Sequence, residues 1–265
     1  MGKFGEIPVG YYTGIPDISV PIYEINTGTL KLPISVSYHA GGIRVEEVAS
    51  WVGTGWALNA GGVITRQQRG LADEDGGGFQ AVHDSVTKFI TGMSPDVQQS
   101  YLDTITDGTM DSQMDIFTYN LGGESGKFFW DTLGNVVTIP SSRNKFEYTY
   151  NVGWKVTDIN GTQYFFQTKE STQAYPVTNG SLGSSPQPSG VTSWYITKIV
   201  NALGTDSINF SYEVAESSFE TIAAQTKYLV QTGDANCPNK TYDNSYSDNT
   251  VEGWRLTRID FKNGS

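Results

Sequence analysis

Leu30, Leu32, Ile34, Val36 and Tyr38 alternate strictly with Lys31, Pro33, Ser35, Ser37 and His39. A period of two sends successive side chains to opposite faces, so this run is a β-strand with one apolar face, not a helix. Ile18, Val20, Ile22 and Ile25 mark an earlier strand, in which Pro21 points to an edge or a bulge. Thr27-Gly28 lies between the two runs as the turn of a hairpin.

Directly downstream, Trp51 to Arg66 packs four glycines and two tryptophans into sixteen residues. Glycine lets the backbone take a positive φ or pass close to another chain, and tryptophan fills the space left open. The stretch resembles a phosphate loop only superficially. No Gly-Lys-Ser/Thr follows, and Val63-Ile64-Thr65 continues as a strand. Gly53, Gly55, Trp56, Gly61, Gly62 and Arg66 are therefore expected to serve architecture, with Trp51 and Trp56 packed against a tight strand-to-strand passage.

Further strands are expected at 115–120, 127–131, 135–139, 145–150, 153–158 and 162–168. Leu133-Gly134-Asn135 and Asn160-Gly161 supply turns between them. One helix is expected at 95–106. Ser94 can cap it, Pro95 suits its first position, Asp96 suits its dipole, and Val97, Tyr101, Leu102 and Ile105 share a face. Residues 178–191 are rich in Gly, Ser and Pro and are expected to be a loop. Residues 215–250 crowd Asn, Asp, Ser and Tyr together. They are expected to be mostly a polar excursion with one strand near 226–231.

The expected fold is all-β: many short antiparallel strands and hairpins in a sandwich or open curved sheet, with one short helix. Two regions are expected. Residues 1–112 hold the first β segment, the acidic loop and the helix. Residues 113–265 hold a hairpin repeat: Trp154-Lys155-Val156-Thr157, Trp194-Tyr195-Ile196-Thr197 and Trp254-Arg255-Leu256-Thr257 each lead through a further Ile to a turn. The equivalent placement of Trp154, Trp194 and Trp254 favours core packing over a sugar-stacking platform. The chain stops at Asn263-Gly264-Ser265, inside the third turn, which suggests an N-terminal fragment of a longer protein.

Several function classes lack support. The formal net charge is −11, with only 17% charged residues, which disfavours nucleic-acid backbones and anionic membranes. No apolar run approaches the roughly 18 residues of a membrane helix. Met1 to Gly5 is not followed by the apolar segment of a signal peptide, so the protein is expected to be either cytosolic or a secreted form whose leader has been removed. Cys237 stands alone, excluding an internal disulfide. His39 and His83 lack ligand neighbours. Glu46-Glu47 point to opposite faces of a strand and make no acid/base dyad. Asp73, Glu74 and Asp75 miss the spacing of a calcium loop and are expected to be a solvated, flexible acidic loop. No catalytic, cofactor or metal residues are assigned.

The runs Gly14 to Tyr23, Leu32 to Val45 and Ala49 to Arg66, with Gly-x-Gly-Trp-x-Leu-x-x-Gly-Gly-Val-Ile-x-Arg at their centre, resemble the N-terminal region of Rhs/YD-repeat proteins. The large secreted forms common in Bacteroidetes are the nearest in pattern. The same motif resembles the start of the shell in insecticidal-toxin B components. Phe117 to Asn120, Gly126 to Phe128 and the Trp hairpins resemble the lead-in to the repeats of such proteins.

The resemblance implies a non-catalytic, secreted or cell-surface domain of a polymorphic-toxin-like protein. Its β-ribbon would spiral into a shell around a C-terminal effector. The implied partners are the downstream repeats of the same polypeptide and a secretion or surface partner, with no nucleic acid, no membrane insertion and no cofactor. The Tyr-Asp repeat motifs themselves are absent. The alternative expectation is a glycan- or protein-binding surface module using exposed aromatics.

Overall fold

The computed structural model describes residues 16–42, 47–82, 92–121, 123–178, 181–182, 190–227 and 242–265. The protein is all-β, with antiparallel pairing. Strands β1 (Asp17–Asn26), β2 (Lys31–His39) and β3 (Trp56–Asn59) make a three-stranded sheet. An eleven-stranded sheet contains β4 (Val63–Gln67), β5 (Ile116–Asn120), β6 (Ser125–Trp130), β7 (Val136–Ile139), β8 (Lys145–Thr149), β9 (Gly153–Thr157), β10 (Gln163–Thr178), β11 (Ser181–Leu182), β12 (Gly190–Val200), β13 (Ser207–Lys227) and β14 (Tyr242–Phe261).

The β1–β2 hairpin turns at Thr27-Gly28, and its register shifts between Pro21 and Tyr23, where proline leaves a ladder position without a donor. Its apolar alternation buries only at the turn end. Ile25, Leu30 and Leu32 enter the same core as the large sheet, whereas Val20 and Ile22, further from the turn on β1, are exposed. The tip is held there by Asp206, whose Oδ2 accepts hydrogen bonds from the hydroxyls of Thr27 and Thr29. These hydroxyls hold the Asp206 carboxyl below the usual range.

The helix Pro95–Thr106 occupies the expected residues. Ser94 sits at its N-cap but makes no side-chain cap hydrogen bond. None of its residues is buried, and Val97 and Leu102 on the expected apolar face are exposed. The helix belongs to an excursion between β4 and β5, which are themselves paired from Val63↔Asn120 to Gln67↔Ile116. A hairpin's two strands are thus joined by a long insertion. Through β4, which also pairs with β12, the sheet of residues 113–265 takes in a strand of residues 1–112.

The polar stretch 215–250 corrects the expected excursion. Its described part forms most of two strands, β13 and β14, of 21 and 20 residues, paired from Ile208↔Phe261 to Lys227↔Tyr242. Both faces of this ribbon are largely solvated, so no apolar period marks it. Backbone bonding, which is blind to side-chain polarity, holds it. Likewise β10 runs ten residues past the expected end, to Thr178, and β12 begins at Gly190, inside the expected loop. Residues 228–231 of the expected strand, His83, Glu46 and Cys237 lie outside the described residues.

Two features shape the large sheet. First, β12 pairs with β10 and β13, β13 with β14, and β14 with β10, so four strands close on one another. The ribbon lies beside β12 at its base and beside β10 further out. A register shift at Ser211/Tyr212 marks the bend. Second, the row β7-β6-β5-β4-β12-β10-β9-β8 curls round until its ends meet across an aromatic interior. Phe128 of β6 lies 4.7 Å from Phe146 of β8, and Trp130 of β6 lies 5.4 Å from Tyr148 of β8. The result is an incompletely closed barrel with its seam between β7 and β8.

Candidate functional site

One mouth of this barrel holds a buried charged centre. On β4, Ile64 and Arg66 alternate inward. On the paired β5 and the residue before it, Asp115, Phe117 and Tyr119 do the same. The pattern that buries the apolar residues therefore also buries Arg66 and Asp115, whose side chains are 0% exposed. A charge so placed needs partners.

Arg66 has them. Nη1 donates to Glu74 Oε2 at 2.8 Å and Asp115 Oδ2 at 3.3 Å, Nη2 to Glu74 Oε1 at 3.0 Å, and Nε to the Val191 carbonyl at 2.8 Å. The guanidinium carbon lies 4.9 Å from the Trp194 ring and 5.6 Å from that of Phe117, adding cation–π attraction.

The expected solvated acidic loop is thus corrected. Asp73 is fully buried, and only Asp75 of the three acids is exposed. Asp73 and Asp115 exchange hydrogen bonds: both Asp73 oxygens accept from the Asp115 amide at 3.0 and 3.1 Å, and Asp115 Oδ2 accepts from the Asp73 amide at 3.3 Å. Asp115 Oδ1 also accepts from the Arg69 amide at 2.7 Å.

Burial dominates the titration of Asp73 and Asp115. Burial, then repulsion from Asp115, pushes the Asp73 carboxyl up to about 7. Burial also raises Asp115, against the pull of the Arg69 amide and Arg66. Tyr148, which donates to Glu74 Oε1 at 3.2 Å, is raised by burial and by that carboxylate. The segment 72–82 is thereby fastened over the mouth as a cap, with Ala72, Phe79 and Val82 buried beneath it.

The predicted site residues fall into three groups. Gly61 and Gly62 carry the chain from β3 in one sheet to β4 in the other. Gly62 has φ +133°, and a Cβ there would sit 2.1 Å from the Asn120 carbonyl oxygen. Gly53 and Gly55 turn the chain into β3 with φ of +117° and +74°, and Trp56 is half-buried with its ring 5.2 Å from Tyr38. Trp51 corrects the expectation of packing: it is 62% exposed, with Arg255 over its ring at 5.7 Å.

Trp154 and Trp194 are 1% and 0% exposed and meet edge to face at 6.3 Å in the barrel interior. Trp254 differs from them. It is half-buried, and its indole N–H donates to the Lys169 carbonyl at 2.7 Å, beside the point where β14 parts from β10. The last Ile of the shared pattern is likewise unequal: Ile199 is buried and Ile159 is exposed.

Beside the charged centre, a cleft of about 860 Å³ runs along the barrel seam. The connector between β7 and β8, residues 140–144, contributes Arg143 and Asn144 at one end, Lys145 to Tyr148 run along it, Trp130 and Val136 face them, and Glu74 and Gln80 of the cap close the other end. Glu74 is already committed to Arg66 and Tyr148. The cleft offers aromatic surface, amides and a basic lip, and its second acid, Glu147, is paired with Lys145 and Lys155.

Among the described residues, no group of His, Cys, Asp and Glu is placed to hold a metal ion, and no helix is long and apolar enough to cross a membrane. Compared with protein-family models, curated proteins and solved structures, the chain matches none.

Proposed function

We propose that this chain is a non-catalytic structural domain of a large secreted or cell-surface protein of the Rhs/YD-repeat type, contributing strands to a β-shell that encloses or presents a C-terminal effector. The observation that carries the reading is the use made of the tryptophans. Trp154 and Trp194, with Phe117, Phe128 and Trp130, knit the two halves of the curled sheet together instead of facing solvent. The charged centre supports it too, because its polar atoms bond to one another and fasten the cap to the barrel.

In this reading the ribbon is the growing edge of the shell. Residues 245–252 of β14 are paired on both sides, with β13 and β10, whereas 253–261 pair only with β13 among the described strands. A free edge of this length is a template for a further strand. Hydrogen exchange tests this. Amides of 253–260 that face away from β13 should exchange fast in this chain and slowly in a polypeptide that continues past Ser265. Equal exchange in the two would overturn the reading.

The alternative, an aromatic binding surface, draws support from Trp51, with the exposed Val48 and Val52 beside it. Loss of cell-surface or glycan binding on Trp51→Ala, with folding unchanged, would favour that alternative.

A further inference from the structure

The seam between β7 and β8 has the makings of a peptide-binding slot. These strands are consecutive in sequence yet pair away from each other, β7 with β6 and β8 with β9. Each therefore has an edge without a strand partner among the described residues. The cleft runs along β8 from Lys145 to Tyr148 and meets β7 at Val136.

Edges left open in this way are usually blunted by charge. Here the two charges on β8, Lys145 and Glu147, offset each other, and β7, Val136-Val137-Thr138-Ile139, is uncharged with Val137 and Ile139 exposed. The slot floor is aromatic, from Trp130, Phe146 and Tyr148. At the lip stands Arg143, exposed and without an ion pair among the described residues, although the chain carries a net charge of −11. Its neighbour Lys145 is already paired with Glu147 at 2.7 Å.

We propose that this slot receives an extended segment of a partner polypeptide. The segment would lie as an added strand along the free edge of β8, seating apolar side chains on the half-buried Phe146 and Tyr148 and a carboxylate against Arg143. Main-chain hydrogen bonds to the edge would supply affinity, and the aromatic floor and the arginine would supply the preference for alternating apolar residues and an acid. The volume lies within the ordinary range of about 300–1,000 Å³ for ligand sites. The slot uses elements remote from the 253–261 edge, so its failure and the failure of the shell reading are separable.

The test uses the whole chain and an acetylated, amidated heptapeptide, Val-Thr-Val-Glu-Val-Thr-Val. Saturable change in tryptophan emission is expected below about 1 mM, with slowed exchange of amides in 145–149. R143E, an exposed change that should leave thermal stability as it is, should weaken binding at least tenfold. A peptide with Lys in place of Glu should bind R143E better than it binds the parent chain.

Four results would each overturn the proposal. They are no saturable binding, equal binding of both peptides to both proteins, unchanged exchange at 145–149, and displacement of the peptide by a neutral glucose hexasaccharide or by dimerisation of the chain itself.

Discussion

Replacing Arg66 with Met should expose how the barrel mouth is held. The methionine fills much of the same space and keeps the contact with Trp194, so the loss is mainly electrostatic. It removes the only guanidinium among Asp73, Glu74 and Asp115, two of which are fully buried, and leaves the Val191 carbonyl without its donor. Breaking a buried ion pair by removing one partner typically costs about 3–5 kcal/mol. For a domain of this size that corresponds to a fall in Tm on the order of 10 °C.

The loss should depend on pH in a defined sense. Arg66 lowers the titration of both Asp73 and Asp115, so its removal raises their folded values further. A carboxyl with a raised folded pKa loses stability as pH climbs from the unfolded to the folded value. Near pH 5 the variant's carboxyls can take up protons and the deficit should be small. It should widen as pH climbs through the parent's folded values, about 7 for Asp73, to about pH 8 and above, where the parent's carboxyls ionise beside Arg66 and the variant's have no counter-charge. Urea unfolding followed by emission of the buried Trp154 and Trp194 reads both. A deficit below about 1 kcal/mol at the higher pH, or one of the same size at both, would refute the assignment of Arg66 as counter-charge.

Three further outcomes follow from the same geometry. Asp73→Asn should flatten the fall in stability of the parent chain between about pH 4 and pH 7. With the Asp73 carboxyl raised to about 7, the charge it removes is worth on the order of 4 kcal/mol at the upper limit; parallel stability–pH curves for the two proteins would count against it. Gly62→Ala should destabilise by about 3 kcal/mol or more, since it adds a left-handed penalty to a clash with the Asn120 carbonyl. Gly28→Ala, whose Cβ meets nothing within 4 Å, should lose only about 1 kcal/mol; equal thermal shifts would contradict the close approach. Trp194→Ala should cost about 3–5 kcal/mol, whereas Trp51→Ala should stay within about 0.5 kcal/mol; calorimetry of the pair decides.

What could be read in the sequence follows from where side chains are forced to report their surroundings. The 30–39 alternation, the glycine turns at 134 and 161 and the helix at 95–106 were legible because local steric rules act there within a few residues, at the helix through Pro95 in its first turn and not through a Ser94 cap bond. The long ribbon was not, because Glu213 to Gln225 alternates between two solvated faces and only its distant partner strand reveals it. Asp73 and Glu74 read as solvated because consecutive acids beside glycines usually are, and Asp115 lies far along the chain. A signal was present nonetheless. Arg66 shares the inward parity of Ile64, and Asp115 that of Phe117 and Tyr119, and charged residues on the apolar side of two strands call for each other.

The pairing of β4 with β12, Ile64 opposite Trp194, also fixes an order of events during synthesis. Until Gly190–Val200 has left the ribosome, β4 has its β5 neighbour but no partner on the other side, and the aromatic interior has no far wall. An early β4–β7 meander would wait with apolar side chains uncovered, in the state most open to chaperones and to wrong partners. Closing the barrel is thus a late, long-range step, and folding of this domain should be slow for its size.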